Sequence, residues 1–249
     1  PDWIETWVEL EALISLADLA ELNPDYTFPE VVSAGPADGA IFEARQIGHP
    51  LLLRGRRVVN DFRLDHEHRI TVLTGSNMSG KSTFLRTLGA NLSLAYAGAP
   101  VNAERLTISL FSVFTCIKVS DSVADGLSYF YAEVKRLKAL LESVVSDKSR
   151  HHFVLIDEIF RGTNNRERRI GSWAFIKRLS TTDCLGAVAT HDLELVKLAD
   201  EMPSISNYHF REDVTDGRMV FDYELRSGPS PTTNALKIME LEGLPVDPA

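Results

Sequence analysis

Gly75-Ser76-Asn77-Met78-Ser79-Gly80-Lys81-Ser82 is the stretch on which the reading of this chain turns. It fits G-x-x-x-x-G-K-[ST] at every fixed position, a pattern that ordinary residue usage yields about once in a hundred chains of this length. The flanks agree with it. Arg69-Ile70-Thr71-Val72-Leu73-Thr74 reads as a short buried strand running in, and Thr83-Phe84-Leu85-Arg86-Thr87-Leu88 as the helix running out. Strand, glycine loop and helix in that order are the context such a motif requires. The loop turns successive backbone N–H groups inward and the helix N-terminus adds partial positive charge, so Gly75 to Thr83 reads as a phosphate cradle. Lys81 is placed to reach the β- and γ-phosphates of a nucleoside triphosphate, and the Ser82 hydroxyl to ligate Mg²⁺.

A second half of such a site lies downstream. Phe153-Val154-Leu155-Ile156 is a wholly apolar strand that ends in Asp157-Glu158. Two adjacent carboxylates at the end of a buried strand are costly unless they act. The spacing assigns Asp157 to Mg²⁺ and Glu158 to the attacking water. Thr190-His191-Asp192 follows another apolar strand, Leu185 to Ala189, in the same way, which makes His191 a candidate γ-phosphate sensor. Lys81, Glu158 and His191 are thus the candidate catalytic set. His151-His152 falls at the other end of the 153–156 strand and reads as surface loop, with no Cys or further His at metal spacing.

Around these motifs the chain has 249 residues, 44% of them apolar and 24% charged, enough for one large soluble domain with a sizeable core. No apolar run is long enough for a membrane span, and no signal peptide opens the chain. It begins Pro1-Asp2-Trp3-Ile4-Glu5 without an initiator Met, as a piece of a longer protein would. Cys116 and Cys184 are both flanked by apolar residues and read as buried reduced thiols, which points to the cytoplasm. The net charge of −9 argues against an autonomous grip on DNA, which would need a basic face. The densest basic run, Arg161 to Arg169, follows the Asp157-Glu158 strand and suits local contacts better.

Periodicity places a helix over residues 3 to 22, with Trp3, Trp7, Leu10, Ile14 and Ala17 on one stripe, stopped by Asn23-Pro24. An irregular linker through Pro29, Gly35, Pro36 and Gly39 follows. Residues 41 to 64 read as short strands with a turn at Gly48-His49-Pro50, and Thr107 to Val119 as strand. A helix then carries Phe130, Val134, Leu137, Leu141 and Val144 on its core stripe. A hairpin is expected around Asp216-Gly217, and a last short helix over 233 to 242. Apolar strands alternating with helices give an α/β class: a mixed, mostly parallel sheet flanked by helices.

Together these pieces resemble the ATPase domain of the MutS family of DNA mismatch-repair proteins. Thr74 to Thr83, with Asn77-Met78 inside the loop, resembles its Walker A segment, and Asp157-Glu158-Ile159-Phe160-Arg161-Gly162-Thr163 its Walker B strand end. Ala189-Thr190-His191 is similar to the family's His switch, and Gly126-x-Ser128-x-Phe130-x-x-Glu133 to its signature segment. His49-Pro50 and Val59-Asn60-Asp61 resemble the approach to the base, and Tyr223-Glu224-Leu225 through Ala235-Leu236 the tail that ends in the dimerisation region. The resemblance implies a P-loop NTPase of ABC-ATPase type that uses ATP/ADP and Mg²⁺. It implies a homodimer, or a MutS-like heterodimer, joined through the ATPase face. Ser128 would contact the γ-phosphate held by the partner chain, Val58 would pack near the adenine and Asn60 would brace that wall. DNA would be held by domains absent from this chain. The implied division is the end of a lever-type helix and linker over 1–40, the P-loop ATPase domain over 41–228 and a dimerisation-type helical tail over 229–249. Cys116-Ile117-Lys118-Val119-Ser120, Phe160 and Asn164-Asn165 depart from the usual pattern and suit a divergent paralogue; they bear on mismatch recognition, not on hydrolysis. The alternatives are a P-loop phosphotransferase and an ATP-gated dimerisation module that does not act on mismatched DNA.

Overall fold

In chain order the elements are α1 (Asp2–Leu22), β1 (Glu30–Val32), β2 (Phe42–Ile47), β3 (Asn60–Leu64), β4 (Ile70–Thr74), α2 (Lys81–Tyr96), β5 (Arg105–Ser109), β6 (Phe111–Cys116), α3 (Tyr129–Ser146), β7 (His151–Asp157), α4 (Asn165–Ser180), β8 (Cys184–Ala189), α5 (Leu198–Glu201), β9 (Ile205–Thr215) and β10 (Arg218–Ser227). They come from a computed structural model that describes residues 2–33, 39–117, 129–215 and 218–230. Ser128, the expected helix at 233–242 and the turn at Asp216-Gly217 lie outside the described residues.

A six-stranded sheet runs β10-β9-β4-β8-β7-β6, parallel throughout except for the β9–β10 hairpin. A smaller sheet runs β1-β5-β2-β3 and is mostly antiparallel. Successive side chains of a strand point to opposite faces, and both faces of the large sheet are covered. Leu73, Phe153 and Leu155 pack into a core with Leu85, Leu88 and Leu92 of α2 and with Phe42, Phe62 and Leu64 of the small sheet. Ile70, Val72, Val154 and Ile156 point the other way, onto Leu137 and Leu140 of α3 and Phe175, Ile176 and Leu179 of α4. That double burial is why these strands are unbroken apolar runs. Register then aligns three strand ends. Leu73 and Asp157 both pair with Ala189, so β4, β8 and β7 stop level with one another and deliver their following loops to one edge.

Several expectations need correcting. His151 and His152 are not loop residues: they open β7, pairing with Phe111 and Ser112, and His152 is buried with Nε2 at 3.3 Å from the Asp147 carbonyl. The strand expected over 107–119 is two strands in different sheets. Its break is set by a residue distant in sequence: the Tyr96 hydroxyl of α2 donates to Ser109 O at 3.0 Å and accepts from Phe111 N at 2.9 Å, leaving Leu110 exposed between them. Inside the stretch read as irregular linker, Glu30–Val32 pairs with Thr107–Ser109. Helix α1 forms, yet none of its residues is buried, and Trp3 and Trp7 lie 88% and 65% exposed. Cys116 and Cys184 are buried free thiols, and burial pushes that of Cys116 up to about 11. Among the described residues no helix is long and apolar enough to cross a membrane.

Candidate active site

The loop between β4 and α2 is shaped by backbone that few side chains tolerate. Gly75 has φ +143, and a Cβ there would stand 2.7 Å from Ser79 Oγ and 2.8 Å from the Phe210 carbonyl. Met78 takes φ 68 without being glycine. Ser79 is fully buried and donates from Oγ to Ser76 O at 2.9 Å, which closes the loop from behind. Inside it Lys81 Nζ donates to Gly75 O at 2.7 Å and to Ser76 O at 2.6 Å. Burial pushes the Lys81 ammonium down to about 8, although Glu158 and Asp157 pull it upward. A desolvated cation wrapped by backbone gains from an arriving anion, so the loop fits a phosphate group.

Glu158 stands at φ 61, its backbone N–H bonded to Ala189 O at 2.9 Å. Its carboxylate is bracketed: His191 Nε2 lies 2.5 Å from Oε1, and Arg161 Nε lies 2.9 Å from Oε2. The bond to His191, ahead of the charges on His191 and Arg161, holds Glu158 below the usual carboxylate range against the opposing effect of burial. The other ring nitrogen, Nδ1, is 3.2 Å from Gly75 O, so His191 links the phosphate loop to the acid. Asp157 is 6% exposed beside them, with Arg161 Nη2 3.7 Å from its Oδ2. The Ser82 hydroxyl and the Asp157 carboxylate are hard oxygen donors of the kind Mg²⁺ takes.

One cavity of about 1030 Å³ receives Asn77, Met78, Gly80, Lys81, Ser82 and Thr83 on its loop side, with Glu158 and His191 at one end. Gly75, Ser76 and Ser79 shape the loop from outside that lining. The cavity is also walled by His49, Arg57 and Val58 from the connection between β2 and β3, by Asn60 at the start of β3, and by Phe221 and Tyr223 from β10. Asn60 ties the two walls together, donating from Nδ2 to Tyr223 O at 3.1 Å and accepting from Leu225 N at 2.7 Å. These bonds span a register shift between Phe221 and Leu225, where Tyr223 takes φ 57.

Four contributors were not singled out from the sequence as site residues. Arg161 falls in the Walker B-like segment and in the basic run without a role of its own there, although its spacing of three and four residues from Glu158 and Asp157 marks it. Tyr223 depends on an irregularity in β10 that pattern does not show. Glu212, 3% exposed, accepts from Ser76 Oγ at 2.8 Å and has no local motif. Glu133, 1% exposed on α3, accepts from Phe160 N at 2.7 Å. Two departures from the resemblance gain reasons. Phe160 occupies a position at φ 58, where glycine is easiest. Asn164 caps α4, its side chain accepting from Glu167 N at 3.0 Å as a small hydroxyl would. A family model described as MutS domain V matches residues 71–247, a span that begins in β4 and takes in the loop at Gly75, Asp157-Glu158 and His191.

Proposed function

The chain belongs to the MutS family through its domain V, the ATPase domain of that family, and on that premise we propose that it binds and hydrolyses ATP at a site completed by a second chain. The observation that carries this reading is the convergence of Lys81, Glu158 and His191 on one cavity at the aligned ends of β4, β7 and β8. Lys81 exchanges its loop carbonyls for the β- and γ-phosphate oxygens. Ser82 and Asp157 would hold Mg²⁺, which supplies charge neutralisation on the phosphate oxygens when bound. Glu158 orients a water and accepts its proton as the water oxygen bonds to the γ-phosphorus. The bond from that phosphorus to the bridging oxygen breaks, and ADP leaves with the electron pair. His191 keeps Glu158 in register with the loop and senses the γ-phosphate. At the far end, Val58 packs near the adenine and Asn60 braces the wall. Ser128 of a second copy, or of a MutS-like partner, would complete the γ-phosphate contacts. The cycle would drive DNA-handling domains beyond this chain, in repair or recombination, in the cytoplasm.

The test separates binding from turnover. Glu158→Gln should bind a fluorescent ATP analogue as the wild type does while phosphate release falls at least about 100-fold. Lys81→Ala should weaken binding itself. Wild-type turnover in Glu158→Gln would sink the role assignment, and phosphate release that requires an added acceptor would favour a phosphotransferase.

A further inference from the structure

The turn that carries Glu158 into the cavity is held from behind by α3. Glu158 and Phe160 both adopt left-handed backbone, at φ 61 and 58, an arrangement that relaxes unless its surroundings hold it. Four contacts do so. The Phe160 N–H donates to Glu133 Oε1 at 2.7 Å. The Phe160 ring lies 6.2 Å from that of Phe130 on α3 and 6.5 Å from that of Phe175 on α4. Residue 162 can approach α3 only as glycine, since a Cβ there would meet Phe130 Cβ at 2.6 Å. Of these contacts only the Glu133 bond is a directed polar one, and it is made by a carboxylate that is 1% exposed. An acid is seldom kept in such a place when an apolar residue of similar size would pack. Directly after Phe160 comes Arg161, whose Nε holds Glu158 Oε2 at 2.9 Å.

We propose that Glu133 is a positioning residue for hydrolysis: its carboxylate fixes the 158–162 turn and thereby the aim of Arg161 and Glu158 on the attacking water. This rests on the role given to Glu158 above. Glu133 touches neither phosphate nor base, and Lys81, Ser82, Val58 and Asn60 sit on other elements. Its loss therefore separates turnover from affinity.

The experiment measures ATP-analogue affinity and kcat for phosphate release for Glu133→Ala, Glu133→Gln and Glu133→Asp. In Glu133→Ala, kcat falls about 10- to 100-fold, the scale seen when a supporting residue behind a reacting group is removed, while affinity stays within about 2-fold. Glu133→Gln keeps an acceptor for the Phe160 N–H and restores most of the turnover; Glu133→Asp, one methylene short, does not. Should the alanine variant fail to fold, the order of Gln over Asp decides. Wild-type kcat in Glu133→Ala, an equal loss of affinity and kcat, or Asp outperforming Gln would each overturn the inference. If Glu158→Gln turns over normally, the functional reading itself falls; if Glu158→Gln is inactive and Glu133→Ala is not, only the role of Glu133 falls.

Discussion

At the scale of the residue, Lys81 is held at a cost that the resting protein bears for the sake of its ligand. Its ammonium is desolvated, and its pKa sits at about 8 instead of 10.5. Below pH 8 the folded and unfolded chains both carry the charge, and the folded one carries it in a poor solvent. Between pH 8 and 10.5 the folded chain gives up the proton while the unfolded chain keeps it. Unfolding then takes up a proton, and stability from this group rises with pH across that window. Lys81→Met should therefore melt higher than the wild type at pH 7 without nucleotide, by up to about 3 kcal/mol, with the gap closing as pH rises through 8 to 10.5. Neither carbonyl is orphaned by the change, since His191 Nδ1 still faces Gly75 O and Ser79 Oγ still donates to Ser76 O. Thermal melts at pH 7 and pH 9.5 check this; a lower melting point at pH 7 would mean that the two lysine bonds outweigh desolvation. Lys81 and Glu158 could be read from sequence because they sit at fixed spacings in local motifs. The roles of Arg161 and Tyr223 are less legible, because their aim depends on left-handed backbone at Glu158, Phe160 and Tyr223 that no side-chain pattern announces.

At the scale of the element, β7 and β8 lead into the groups proposed to react, and the two strands lie close. Gly186 is the point of closest approach: a Cβ there would stand 2.4 Å from the Val154 carbonyl and 3.0 Å from Val154 Cβ. Gly186→Ala should push the two strands apart and lower stability by about 1–3 kcal/mol, read as a drop in urea midpoint at unchanged slope. Because Asp157 ends β7 and His191 follows β8, phosphate release should fall with it; an alanine variant as stable as the wild type would show that the pair can shift without strain. Both strands were evident as apolar runs, since burial on two faces removes polar residues from them. Their limits were less evident. His151-His152 looks like loop by composition, yet the ladder to Phe111 and Ser112 extends β7 through it. The break at Leu110 is set by Tyr96, a tyrosine on another element, which local pattern cannot reveal.

At the scale of the whole molecule, charge and exposure bear on how the chain assembles. A net charge of −9 leaves little attraction for DNA, and three of the four arginines of the basic run are already engaged. Arg161 holds Glu158, Arg168 donates to Asn165 Oδ1 at 3.0 Å, and Arg169 meets Asp192 at 3.4 Å. The outer rim of the nucleotide loop is bare by contrast: Asn77 and Thr83 are exposed, and Met78 is 81% exposed at φ 68. On the function proposed above, such a rim would leave the γ-phosphate end open to bulk water, whereas phosphoryl transfer is favoured where water is excluded and charge is met by fixed dipoles. A second copy laid across that rim, bringing Ser128 with it, would close the site. The rate of phosphate release per chain should then rise with protein concentration and level off once dimers dominate, while Glu158→Gln, mixed in excess with wild type, should slow the wild-type chains less than a Ser128→Arg variant does. The glutamine chain can still cover its partner's nucleotide; the arginine chain cannot. A rate per chain that stays flat from below to above the monomer–dimer midpoint, located by sedimentation, would mean that one chain holds all the groups it needs.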